Sequence, residues 1–255
     1  RWDEYAAGEG LFGLQVTDYP ELAKTKTEID LLEKVYSLYI DVTTTVADYK
    51  DLLWADVPDK IDAMLLKLTD FQNACKRMPK VLREYEAFIE LKRTIDDFLE
   101  TLPLVQQLAH PSMRNRHWQA LQNTTGRTLN VYSDTFKLSM LLEVDLLEFV
   151  EDVEDITNSA SKELQIEIKM GDIQEEWSDQ QLQFANFKNR GPIQLQGGPT
   201  AELREKLDEA QMQLGSMMAS RYIGPFKDET TSWVLKMSFC AEILEQWVEV
   251  QAMWM

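Results

Sequence analysis

The chain has 255 residues, 44% of them apolar, and carries 26 basic against 44 acidic side chains for a formal charge of −18. That is enough apolar material for one large core or two smaller ones. The acidic excess repels phosphate backbones and anionic lipid over most of the surface, and no apolar run reaches the ~20 residues that span a bilayer, so neither nucleic acid nor membrane is an expected partner.

Residues 1–18 show no periodic pattern and read as an irregular N-terminal lead-in. Helical spacing then sets in. Ile29, Leu32, Tyr36, Tyr39, Val42, Val46, Tyr49 and Leu53 step by threes and fours, in a stretch free of Gly and Pro from 21 to 57. Ile61, Met64, Leu65, Leu68, Phe71 and Cys75 follow, with Pro58 in the first turn, where its missing N–H costs nothing. After Pro79 come Leu82, Tyr85, Phe88, Ile95, Phe98 and Leu102. The run MRNRHWQALQNTTG, 113–126, places Arg114, Arg116, His117 and Trp118 together in an otherwise acidic chain. The longest pattern, about 145–178, carries Leu146, Phe149, Val153, Ile156, Ala160, Leu164, Ile168, Ile173 and Trp177. LQFANFKNRGPIQLQGG alternates instead, with KNRGP as turn, and predicts a β-hairpin over about 182–196. The last helix shows Phe226, Trp233, Met237, Cys240, Leu244, Trp247, Gln251 and Trp254, a stripe that only Gln251 breaks. The fold class is therefore mainly α: an elongated stack of antiparallel helical bundles with one small hairpin. The expected domains are a bundle over 19–143 and a second over 144–255, sharing the helix at about 145–178. The chain opens on Arg1 rather than Met and stops at Met255 inside an apolar pattern, as expected of a piece cut from a longer protein.

Catalytic signatures are missing. There is no phosphate-binding GxxxxGK[ST], no GxGxxG opening a helix, no GxSxG, no HExxH and no Glu-x-x-His pair. Cys75 and Cys240 lie in apolar helical patterns and read as buried free thiols of a reducing compartment. With only His110 and His117 beside them and no CxxC, a zinc site has almost no ligands to draw on. DDFLE, 96–100, has carboxylates one turn apart that suit Mg²⁺ in an all-α diphosphate enzyme, but no second acidic motif of that class accompanies it, and a solvated acidic face is the plainer reading. His117 lacks a nucleophile or carboxylate at recognisable spacing, and the tryptophans mostly lie on apolar stripes. No catalytic, cofactor or metal residue is expected.

Several motifs in series resemble one family. RHW at 116–118 followed by Thr125-Gly126, the A-x-K-E-x-x-I-E pattern with trailing Trp in ASKELQIEIKMGDIQEEW, the hairpin FANFKNRGPIQLQGG, MQLGSMMASRYIGPF and the Trp-x-x-Val-Gln-x-x-Trp of WVEVQAMWM are similar to the dynein heavy chain linker. VPDKIDAMLLKL and MPKVLREYEAFIELKRTIDDFLETLPLVQQL resemble its upstream helices, so the likeness runs from about Leu11 to Met255. The Leu-Gly-Ser and Arg-Tyr-x-x-Pro-Phe wording resembles axonemal heavy chains, of outer-arm type, more than the cytoplasmic one; PTAELREKLDEAQ departs from the family's frequent Glu-Asp-Ser-Leu. The resemblance implies a non-catalytic lever that bends and straightens over a ring of AAA+ ATPase modules. Its implied partners are that ring and the tail of the parent chain and the other dynein subunits. ATP and Mg²⁺ would sit only in the ring, and the location would be cytoplasmic, in the axoneme of a cilium or flagellum. A generic scaffold or tethering rod is the competing reading, although no fixed repeat is present; the Mg²⁺ diphosphate enzyme is a third.

Within the lever reading, Arg116, His117, Trp118 and Trp177 form a structural joint, with Arg116 on carboxylates or helix-end carbonyls and Trp118 filling the space between bundles. A hinge is expected at Thr157, Asn158, Ser159, Ala160 and Ser161, where small polar side chains compete for backbone hydrogen bonds between apolar anchors upstream and Leu164, Ile168, Ile173 and Trp177 downstream. A close helix crossing would demand the same small residues.

Overall fold

The computed structural model describes residues 2–254; Arg1, Met255 and the side chain of Trp2, which belong to the expected lead-in and last bundle, lie outside the described residues. The chain is mainly helical with one antiparallel two-stranded sheet. It divides into two compact units, Arg1–His110 with Gln122–Val153, and Pro111–Leu121 with Glu154–Met255.

In the first unit the lead-in is not irregular throughout: Trp2–Leu11 is a helix, α1. Its Ala and Glu residues favour helix, and Gly8 and Gly10, read as punctuation, cost only ~1 kcal/mol each in an exposed turn. Gly13 at φ +67° ends it, and Thr17 folds back to donate from its N–H and hydroxyl to the Glu9 carboxylate. Helix α2, Pro20–Lys50, buries Val35, Val42 and Val46; Ile29 and Tyr36 of the expected stripe are exposed, and no residue of this helix before Val35 is buried. Helix α3, Val57–Arg77, buries Ile61, Met64, Leu68, Phe71 and Cys75 against α4, Glu86–Leu108. Helix α4 runs on through Pro103. The lost bond to the Leu99 carbonyl costs ~3 kcal/mol, but Pro103 faces solvent while Leu104, Val105 and Leu108 are buried, at ~1.5–3 kcal/mol each, so continuation wins. After α5, Asn115–Thr125, the chain returns to this unit. Trp54 N–H donates to the Phe136 carbonyl at 2.8 Å, Leu138 N–H donates to the Leu52 carbonyl at 2.9 Å, and the Trp54 and Phe136 rings meet edge-on. The short α6, Leu138–Leu142, packs on α2.

Helix α7 is Val150–Ser178, preceded by a 3-10 turn over Leu146–Phe149; Val150–Val153 belong to the first unit and the remainder to the second. In the second unit its core face is Ile166, Met170 and Ile173 with Trp177 partly buried, whereas the expected anchor Ile168 is 54% exposed. Strands β1, Phe184–Asn186, and β2, Pro192–Leu195, pair as Phe184↔Leu195, Ala185↔Gln194 and Asn186↔Pro192, with a bulge after Ala185. Lys188 and Gly191 take positive φ in the turn. Helices α8, Gly197–Met218, and α9, Lys227–Trp254, close the unit through Leu207, Leu214, Met237 and Leu244.

Two expectations on α9 are corrected. Cys75 is buried but Cys240 is exposed, because the face turned to the core is that of Met237 and Leu244. Gln251 is no fault in an apolar stripe: its amide oxygen accepts from Leu195 N–H at 2.8 Å and its amide nitrogen donates to the Leu195 carbonyl at 3.1 Å. That side chain completes the backbone pairing of the free edge of β2, where an apolar residue would leave both groups unmet. Trp247 packs on Phe184 and Trp254 on Phe187 to either side.

Candidate functional site

The first turn of α5 meets the middle of α7 within the second unit. Arg114 precedes the helix, so His117 stands at its third position, and the His117 Nδ1 accepts from Arg114 N–H at 3.0 Å. This is the reach-back of a capping box, with imidazole in place of the usual Glu or Gln. Because Nδ1 accepts, the ring proton sits on Nε2, which donates to Glu163 Oε2 at 3.0 Å. A second proton on the ring would point at an N–H. Burial pushes the His117 pKa below its ordinary 6.5, with Arg116 and Arg114 acting in the same sense and Glu163 opposing.

The same Glu163 oxygen accepts from Arg116 Nε at 2.6 Å and from Arg116 Nη2, and the guanidinium lies over the Phe226 ring at 5.5 Å. One turn further along α7, Glu167 takes Arg114 Nη2 on both oxygens, at 3.1 and 3.0 Å. Two arginines two positions apart thus grip two glutamates four positions apart, with the carboxylates beside the positive end of α5. Trp118, 3% exposed, and Leu121 continue the buried face of α5. Arg116, His117 and Trp118 are therefore placed together. Trp177 is not with them: it lies fourteen positions after Glu163, about 21 Å along the helix, against the core of Ile166 and Ile173. Its indole nitrogen is buried without a hydrogen-bond partner.

The sequence reading missed Arg114 as an ion-pair partner, Glu163, Glu167 and Phe226. The two-against-four spacing of cations and carboxylates was the available signal, but no rule local to either segment connects residues 47 apart. In the expected hinge, Thr157 and Ala160 are buried, Ser159 and Ser161 are half-buried, and Asn158 is exposed. Thr157 donates its hydroxyl to the Glu154 carbonyl at 3.2 Å. Asn158 and Ser159 line an open groove of about 440 Å³ facing Arg221, Tyr222 and Pro225. In DDFLE, Asp96 lies 4.0 Å from Lys92 and Asp97 lies 3.6 Å from Arg93, as paired helix-surface charges. Among the described residues no group of three or more His, Cys, Asp or Glu side chains is placed to hold a metal ion, and no helix is long and apolar enough to cross a membrane.

Residues 22–255 match the family model described as dynein heavy chain, N-terminal region 2. The chain is 48% identical over 254 residues, all but its whole length, to the dynein gamma chain of the flagellar outer arm of Chlamydomonas reinhardtii. It is 42% identical, over 98% of its length, to dynein axonemal heavy chain 5 of Rattus norvegicus and to dynein axonemal heavy chain 8 of Homo sapiens. It spans 6–7% of the length of these relatives. By the match over residues 22–255 the chain belongs to the dynein heavy chain N-terminal region 2 family.

Proposed function

We propose that this chain is the linker of an axonemal dynein motor, a non-catalytic lever that bends and straightens over the AAA+ ring of its parent heavy chain to turn ATP-driven changes into movement along microtubules. The observation that carries the reading is α7. It is one unbroken helix of 29 residues, contributes its first residues to one compact unit and the rest to the other, and is riveted in the second by the Arg114–Glu167 and Arg116–His117–Glu163 contacts. A lever needs such stiffness along most of its length and compliance at one place. ATP and Mg²⁺ belong to the ring, and the partners are the ring, the tail and the other dynein subunits, in the axoneme of a cilium or flagellum, where the names of the similar proteins place those proteins.

The hinge in this reading lies near 157–161. The divide between units falls just before it, between Val153 and Glu154. Burial of Thr157 and Ala160 favours a packing role for those two, so the compliance is assigned to Asn158, Ser159 and Ser161. The test uses a full-length motor with dyes on linker and ring. Glu163→Gln with Glu167→Gln should leave nucleotide turnover near normal and lower microtubule gliding velocity; unchanged velocity would sink the lever. Replacing Asn158, Ser159 and Ser161 with Ala should slow the linker swing at unaltered nucleotide affinity, and an unchanged swing rate moves the hinge elsewhere.

A further inference from the structure

Helix α9 is apolar on two opposite faces. Met237 and Leu244 form the face that belongs to the core. Leu235, Phe239, Ile243, Val250 and Met253 form a second stripe on the far side of the helix, and each is exposed, from 42% at Ile243 to 79% at Met253. Their spacing by three, four and seven keeps them in line, and the eighteen positions from Leu235 to Met253 make a ridge about 27 Å long. Gln246 stands within the stripe; its amide nitrogen donates to Glu242 at 3.3 Å, which leaves its amide oxygen to accept. At Val250 the stripe opens into a cleft of about 110 Å³, where Ile193, Trp247 and Trp254 also present exposed surface. Gln194 and Gln251 line that cleft too, but the Gln251 amide is committed to the Leu195 backbone. Glu242 and Glu249, seven positions apart, edge the stripe on one side, and among the described residues neither meets a cation. Lys236, on the other side, lies against the Trp233 ring 5.1 Å away.

A helix with apolar residues on both faces belongs between two layers, and an exposed apolar run of this length marks a contact surface. We propose that the outward face of α9 docks one amphipathic helix of the same parent heavy chain, from outside these 255 residues, with apolar side chains on the ridge and Lys or Arg beside Glu242 and Glu249. The occupant is a helix because a ridge stepped by threes and fours fits the grooves of another helix, whereas an extended segment repeats every second residue and meets it out of step. Its flank is basic because two unpaired carboxylates edge the ridge on one side. It comes from the same polypeptide because the 254 matched residues are only 6% of the length of the gamma chain, and a helix tethered to α9 acts at a high effective concentration that a separate protein lacks. A second copy is the poorer occupant: packed antiparallel, it sets Glu242 and Glu249 against the same carboxylates, and both bodies carry −18. The inference rests on membership of the heavy chain family and not on the lever, so gliding velocity and swing rate leave it standing.

The test is hydroxyl-radical footprinting, read by mass spectrometry, on the 255-residue chain and on the full-length heavy chain. Oxidation of Phe239 and Met253 should fall several-fold in the full-length protein, because side chains this exposed lose most of their accessible surface in an interface core. The photo-cross-linker benzoylphenylalanine placed at Phe239 of the full-length protein then identifies what covers the face. The product should run at the mass of one heavy chain, and the captured peptide should carry apolar residues at three-four spacing with Lys or Arg on one flank. Glu242→Lys with Glu249→Lys in the full-length protein should raise Phe239 oxidation several-fold; both positions are exposed, so circular dichroism and melting of the 255-residue chain should not change. The proposal is overturned if Phe239 is oxidised equally in the two proteins, or if the cross-link joins two heavy chains or another subunit. Capture of an extended or acidic segment, or protection unaltered by the charge reversal, overturns it as well.

Discussion

Replacing Glu163 with Gln tests whether the α5–α7 contact is an energetic rivet. The side chain of Glu163 is 12% exposed and that of Arg116 is 39% exposed, so the pair falls between two limits. Breaking a fully buried pair costs ~3–5 kcal/mol and an exposed pair ~0–1 kcal/mol. Glu163→Gln keeps the volume but sets an amide donor among the donors of Arg116 and His117, and one of those donors loses its acceptor. Interpolating with burial, and adding the unmet His117 Nε2–H, gives a loss of roughly 2 kcal/mol. Glu167→Gln is the internal control. Its partner Arg114 also binds through the guanidinium, with one nitrogen on both carboxylate oxygens, but the two side chains are 43% and 44% exposed, so the loss should be about 0.5 kcal/mol. Urea unfolding followed by tryptophan emission and circular dichroism at neutral pH reads both. In thermal melts the first variant should drop by roughly 4–8 °C and the second by no more than about 2 °C. Equal losses in the two variants, or a Glu163→Gln change below about 0.5 kcal/mol, would refute the claim that burial sets the strength of this contact.

Trp118→Ala should cost about 3–5 kcal/mol, the range for emptying an aromatic core site; an unchanged melting temperature would place the indole in water. His117 is held neutral, with its pKa below the ordinary 6.5, so its contribution is fully present above that value and is lost as pH falls through the window beneath it. Stability measured at pH 7.5 should thus exceed that at pH 5.5, and the difference should shrink in His117→Gln, which can still reach back to Arg114 N–H; an unaltered difference would assign the pH dependence to other groups. Gln251→Leu, which the apolar stripe alone would favour, should cost about 1–3 kcal/mol by stranding the Leu195 N–H and carbonyl, and should speed amide exchange at Leu195. Unchanged exchange there would mean the amide clamp is dispensable.

The chain's own wording determined the elements. In α3 Ile61, Met64, Leu68, Phe71 and Cys75 of the expected stripe are buried and Leu65 is half-buried, because helical periodicity is a local property and that stripe is narrow enough to admit one register. The hairpin was likewise legible in its alternation and its KNRGP turn. Where apolar residues lie on more than one face, the partner chose. Helix α9 offers Phe239, Cys240, Ile243 and Val250 as readily as Met237 and Leu244, and packing on α8 selected the latter and left Cys240 in water. On α7 the same selection took Ile166 and Met170 over Ile168. Beyond propensity, tertiary structure alone decided the polar contacts. Arg116 finds Glu163 across 47 residues, and Gln251 finds Leu195 across 56. A buried polar group must be paired, but with which partner depends on where the chain returns, and that is fixed only when the helices pack.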